Sequence, residues 1–288
     1  GDQMAAIQSA AGTRAPRLSL TTRIQRNLFR WLYYALVAAI FVFLIAPIAI
    51  VVHQSFNGVG YLSFPIQSPG LRWYRDFFGN DVWMSAIRTG LTLALIAAII
   101  STLLGTMAAW ALSRVAFRGK SLVLALMFSP IVAPTIILAL AFYLFFADLH
   151  LIGNRYAIAA AYGVLGIPYS LVTVTAALTQ FDPAQEQAAA TLGAGPLRVL
   201  WHITLPQVAT SIFAGFFFSF ILAFDEVIII TFLGGGETIT LARQMWNSVR
   251  YDLTPVLAVA GTLLIGFSMG MFLLVEIIST ARERRRSS

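Results

Sequence analysis

The chain has 288 residues, of which 59% are hydrophobic and only 11% charged, with a formal net charge of +7. A soluble domain carries about 25% charged residues, so this composition excludes an ordinary water-facing globule and calls for lipid as part of the solvent. The absence of cysteine excludes a disulfide framework and a thiolate metal site.

In chain order, residues 1–30 read as a cytoplasmic N-terminal tail. Residues 1–16 are small and polar, with no pattern that buries apolar surface. "RLSLTTRIQRNLFR" then mixes arginines with Leu18, Leu20, Ile24, Leu28 and Phe29. That suits either a short amphipathic helix on the inner leaflet or a solvated tail with snorkelling arginines. Residues 31–278 form the transmembrane domain and 279–288 a basic cytoplasmic tail.

Six stretches lack charge and reach the ~20 residues that cross a bilayer as helix. They are Trp31–Val52, Thr89–Ser113, Leu122–Phe146, Tyr156–Phe181, Gln207–Phe224 with its continuation, and Leu253–Val275. The expectation is therefore an all-α, multi-pass membrane protein. The first run is longer than a signal-peptide core and lacks a small-residue cleavage site, so it reads as a retained span.

The long outer loop, His53 to Trp83, carries "LRWYRDFF", whose aromatics suit interface anchoring or contact with an external partner. The third span contains Pro130 and Pro134 and the fourth Pro168. Each removes a backbone donor and kinks a helix. Such breaks line transport paths or simply serve packing, and Pro134 and Pro168 are candidate pathway residues. Gly266 and Gly270 in the last span form a small-xxx-small pair.

Lysine and arginine set the orientation. The N-terminal tail, the loop after the second span, the loop after the fourth and the C-terminal tail hold 13 of the 19 basic residues. Both termini and residues 182–206 are therefore expected in the cytoplasm (N-in/C-in). Charge placed this way reads as topology, with no nucleic-acid partner.

Residues 182–206 form the most distinctive segment. Asp182-Pro183 with Gln185 is a helix start, "PAQEQAAATL" is a helix, and Gly193 offers a left-handed stop. Gly195-Pro196 restarts a second arm, "PLRVLWHITL", with Leu197, Leu200, Trp201 and Leu205 available for burial and Pro206 closing it. Alanines on one arm allow another protein's backbone to come close, as in a helix docked in a groove; the bland alternative is a self-packed hairpin.

Asp225 and Glu226 interrupt the fifth span. A carboxylate at bilayer depth costs ~2.5–3.5 kcal/mol on the insertion scale. None of the six spans supplies a Lys or Arg. The pair therefore calls for a partner-chain cation, a wet cavity, a cationic substrate, or a helix-capping role. Asp225 is the stronger pathway candidate, since adjacent helical residues point about 100° apart.

Other chemistry is excluded. "RGKS", 118–121, lacks the glycine that opens a phosphate-binding loop. His53, His150 and His202 fall in separate loops, so no metal site is expected. No nucleophile and base share a depth, which argues against an intramembrane enzyme. A stand-alone secondary transporter remains the competing class, but it has no use for a docking helix pair.

Gln187-Ala188-Ala189, Gly193 and Ile203-Thr204-Leu205-Pro206 resemble the EAA loop of ABC-importer permeases. "RVAFRGKS", "LRWYRDFF", "FSFILAFDEVIIITFLGGG" and "LARQMWNSVRYDLTPVLAVAGTLL" are similar to the spermidine/putrescine (PotC-like) permease branch. The resemblance implies a type I ABC-importer permease fold in a bacterial inner membrane, with no catalytic residues and no cofactor of its own. It implies two ATPase subunits holding ATP and Mg, a second permease that is a different chain, and an external solute-binding protein. It also implies that Glu186, Gln187, Ala188, Ala189, Gly193, Leu200, Trp201 and Pro206 form the ATPase-coupling surface. Gln187 stands where the family has Glu, so Glu186 or a neutral hydrogen bond would replace that contact. The implied solute is a polyamine, with an opine, 4-aminobutyrate or another amino-acid-like solute as the alternative.

Overall fold

The structure, a computed structural model, describes residues 20–61 and 63–287. The reading of residues 1–19 as unstructured lies outside them. So do the side chains of residues 20–26, on which the choice between amphipathic helix and solvated tail depends, and those of the arginines beyond residue 280.

Among the described residues the fold is helical, with one isolated bridge between Asn57 and Pro69. Residues up to Val51 form one compact unit and those from Val52 a second. The described part of the first unit is helical throughout and belongs to α1 (Leu20–Ser55), whose last four residues fall in the second unit and whose backbone starts well before the apolar run does. Its 27-residue apolar part, Phe29–Ser55, rises about 40 Å at 1.5 Å per residue, enough to cross a bilayer.

The second unit opens with the end of α1, the loop that follows it and α2 (Arg72–Gly79). Trp73 and Phe77 of "LRWYRDFF" are buried, and the Trp73 indole donates to the Val59 carbonyl at 3.0 Å. Those aromatics hold the loop on the helices instead of facing outward. Then come α3 (Asp81–Arg114), α4 (Lys120–Val132), α5 (Thr135–Asp148) and α6 (Arg155–Gln180). After α7 (Ala184–Thr191), α8 (Pro196–Val199) passes through a π-helical turn, Leu200–Thr204, into α9 (Leu205–Phe224). α10 (Ile228–Leu233), α11 (Leu241–Tyr251) and α12 (Pro255–Ser287) complete the chain.

Among the described residues five helices are long and apolar enough to span, or six crossings if one bent pair counts as a span. That pair corrects the third expected span. Leu122–Phe146 is not one straight rod: α4 and α5 meet at 105°. Ala133, between them, takes extended dihedrals (φ −72°, ψ 136°), as a residue ahead of proline prefers, and Pro134 starts the new helix. Pro168, by contrast, is accommodated inside the continuous α6.

The core is the bundle of α3, α6 and α9, the helices in most extensive mutual contact. Its packing depends on small residues. A Cβ on Gly105 of α3 would lie 2.6 Å from the Ser170 Cβ of α6, which no real side chain tolerates. Buried hydroxyls cross the same seam. Ser101 donates to the Gly163 carbonyl at 2.8 Å, and Ser219 to the Gly166 carbonyl at 3.0 Å. Ser170 lies 3.1 Å from Ser219 and, with that proton already committed, is the donor of the two. Gly266 and Gly270 make no such approach: a Cβ on either meets nothing within 4 Å.

Candidate functional site

The helix pair at residues 182–206 forms much as its residues dictate. The Asp182 carboxylate accepts from the Ala184 amide at 2.9 Å, ahead of α7. Gly193 takes φ +85°, and Ala194 donates back to the Ala189 carbonyl at 3.0 Å, closing the helix with a left-handed stop. The second arm differs from expectation. Pro206 does not end it, because the helix runs on through the π turn into α9. Leu205 donates to the Leu200 carbonyl five residues back, so the widened turn comes immediately before the residue that lacks an N–H.

Both arms stand largely uncovered. α7 buries none of its residues. Gln187 and Ala188 are exposed, Ala189 is half-buried, and Gly193 and Pro206 are exposed. Leu192 is 89% exposed, Leu197 68% and Trp201 66%, while Leu200 and Leu205 are half-buried. Leu197 and Trp201, two of the bulky groups available for burial, together with Leu192, thus form an uncovered apolar surface beside the small alanines. A cavity of about 420 Å³ is lined by Trp110, Arg114, Glu186, Gln187 and Ala190, among others.

Glu186 does not join that surface. Arg114, the last residue of α3, donates from Nη2 to Glu186 Oε1 at 2.9 Å. Its Nε lies 2.7 Å from Oε2, a charge contact and not an aligned hydrogen bond. Thr204, buried in the π turn, donates to the same Oε1 at 2.6 Å. The side chains of Arg114 and Glu186 are only 24% and 16% exposed. Burial pushes the Glu186 carboxyl up, but hydrogen bonds from Arg114 and Thr204 and the arginine's charge outweigh it and hold the group below the ordinary carboxylate range. Arg114 also covers the buried Phe181 ring at 5.6 Å, and Gln207 donates to Gln185. Sequence reading assigned Arg114 only to topology and gave Thr204 no role beyond the motif ending. No spacing rule links residues 72 positions apart.

The acidic pair divides its roles. α9 ends at Phe224 and α10 begins at Ile228, so Asp225 and Glu226 sit in a break and not inside a continuous helix. Glu226 Oε1 accepts from the Ile228 and Ile229 amides at 2.7 and 3.0 Å, capping α10. The buried Tyr162 hydroxyl donates to the Glu226 carbonyl at 3.1 Å. Arg243 supports the other end of α10, its Nη1 donating to the carbonyls of Ile230, Gly235 and Thr238 at 3.1–3.3 Å. Asp225 is exposed and makes no side-chain hydrogen bond or ion pair among the described residues. Of the other pathway candidates, Pro134 is exposed at the α4–α5 bend and Pro168 is buried in the bundle.

A second cavity, of about 480 Å³, opens between α2 and the α11–α12 junction. Asp76, Asp252, Trp73, Trp83, Gln244 and Tyr251 contribute to its wall, so carboxylates and aromatic rings face one space. That pairing suits an ammonium group.

The family described as "Binding-protein-dependent transport system inner membrane component" matches residues 101–288. The putrescine transport system permease protein PotI of Escherichia coli strain K12 is 34% identical over 233 residues, 78% of this chain and 83% of that protein. The spermidine/putrescine transport system permease protein PotC of Haemophilus influenzae is 29% identical over 258 residues, 88% of this chain and 96% of that one. A bacterial ABC transporter involved in alginate import superposes with a TM-score of 0.67 at 15% identity, covering 92% of this chain and 100% of that one, which shows a shared fold.

Proposed function

Because the chain belongs to the binding-protein-dependent transport system inner membrane component family, we propose that it forms one half of the conduit of an ATP-driven polyamine importer. The observation that carries this reading is the inner helix pair. Leu192, Leu197 and Trp201 present apolar surface beside exposed Gln187 and Ala188, where a soluble ATPase can seat the pair in a groove. Two such ATPase subunits, binding ATP and Mg, supply the energy. The partner permease is a different chain, and an external binding protein delivers solute. Arginine distribution supports an orientation with both termini and residues 182–206 in the cytoplasm.

Three features support a polyamine as the solute. Relatives named for putrescine and spermidine transport match most of the chain. Asp225 keeps an uncommitted carboxylate at the α9–α10 break. The outer cavity sets Asp252, and Asp76 with Arg72 Nε 3.6 Å from its carboxylate, beside Trp73, Trp83 and Tyr251. Two or more negative charges discriminate a multiply charged amine from a zwitterion.

The test is reconstitution with the partner permease, the ATPases and the binding protein. Expected is ATP-dependent uptake of radiolabelled putrescine and spermidine, with little of 4-aminobutyrate. Accumulation by the chain alone would replace this reading with a secondary transporter. Uptake confined to 4-aminobutyrate would retain the machinery and replace the solute.

A further inference from the structure

We propose that the Arg114–Glu186 pair, with Thr204 as its third member, is the strap that carries movement of the inner helix pair into the second and fifth spans. This rests on the importer reading above and identifies the coupling device within it.

The inference begins with what α7 lacks. No residue of that helix is buried, so apolar packing gives it little purchase on the bundle. Its side-chain ties to distant parts of the chain gather at one end: Gln185 to Gln207, and Glu186 to both Arg114 and Thr204. Gln187 and Ala188 face outward. A push delivered to the outer side of α7 therefore reaches the membrane domain at this end, with the Glu186 carboxylate as its charged tie and Gln185–Gln207 as a neutral one beside it.

That carboxylate joins three elements. Arg114 is the C-terminal residue of α3, a 34-residue helix in the bundle core. Thr204 ends the π turn that leads directly into α9. α3 and α9 both pack on α6, so displacing Glu186 moves two of the three core helices at once. The tie is stiff for physical reasons. Charge-assisted hydrogen bonds are about twice as strong as neutral ones. The pair is largely screened from water, and Arg114 is braced on the Phe181 ring. Glu186 is thus a positioning residue; the acid that sequence reading offered for the ATPase contact is directed inward.

The experiment uses the assembled transporter in proteoliposomes, with radiolabelled putrescine uptake and ATP hydrolysis measured on the same preparation. Glu186→Gln and Arg114→Gln are each expected to lower putrescine moved per ATP hydrolysed at least fivefold, since hydrolysis falls less than uptake. The exchange pair Arg114→Glu with Glu186→Arg is expected to recover at least half of the wild-type ratio. A purely structural role would scale both activities together and leave the ratio unchanged. An unchanged ratio in either single variant overturns the strap. If the single variants do not assemble, the exchange pair decides: recovered assembly and ratio support the strap, and failure to recover overturns it. Wild-type protein without ATP-dependent uptake would instead overturn the importer reading.

Discussion

Two glutamates beside helix breaks do different work in this molecule. Glu226 closes on amides two and three residues ahead of it, so its contacts are fixed by local chain geometry. Glu186 reaches an arginine 72 residues back and a threonine 18 residues on, so its contacts exist only because three elements converge. A cap stabilises one helix; a convergent tie makes separate helices move as one.

The largest effect expected from breaking this contrast is at the convergent acid. Arg114→Ala leaves a partly buried carboxylate without its cation. A fully buried pair costs ~3–5 kcal/mol when broken. With the side chains 24% and 16% exposed, a loss of about 2 kcal/mol is expected, read as a lower thermal unfolding temperature in detergent. Next is the local acid. Glu226→Ala removes the α10 cap and should cost ~1 kcal/mol, whereas Glu226→Gln keeps an acceptor oxygen and should unfold within a few tenths of a kcal/mol of wild type. If Glu226→Gln instead matched Arg114→Ala, the two acids would not differ in kind.

Asp225 is smaller again in stability and larger in solute affinity. With no side-chain partner among the described residues, Asp225→Asn should leave the unfolding temperature unchanged and raise the half-saturating putrescine concentration severalfold, measured by initial uptake rates. The smallest effect concerns pH. The Glu186 carboxyl is held below its ordinary value, so the tie's contribution is complete above the unfolded value and is lost only as pH falls through the lower folded one. Putrescine moved per ATP should therefore stay flat from pH 8 to 5.5, and a decline within that window would point away from an ionised tie.

Much of this was legible in the residues. Uncharged runs gave the spans because lipid tolerates little else, and Gly193 marked the turn because it needs positive φ. The helix start at Asp182 followed from side-chain reach. The bend at Ala133–Pro134 was flagged by its prolines, but its 105° angle is not written in them. Pro206 misled because proline usually ends a helix, and only the π turn shows how the chain passes it. Trp73 and Phe77 looked like interface anchors because aromatics serve lipid and core equally well. Arg114 could not be matched to Glu186 because pairing at that separation is a property of the fold.

The turn at Leu200–Thr204 closes over five residues where an α-helical turn closes over four, so it holds one residue more in about the same rotation. An ordinary α-helix advances about 100° per residue, and an extra residue taken up in this way leaves Trp201 and Leu197 nearly in phase with the fifth span. A chain shortened by one position at 200–204 would therefore close as plain α-helix with its apolar face almost where it was, whereas the same deletion a turn later, within α9, would swing that face by about 100°.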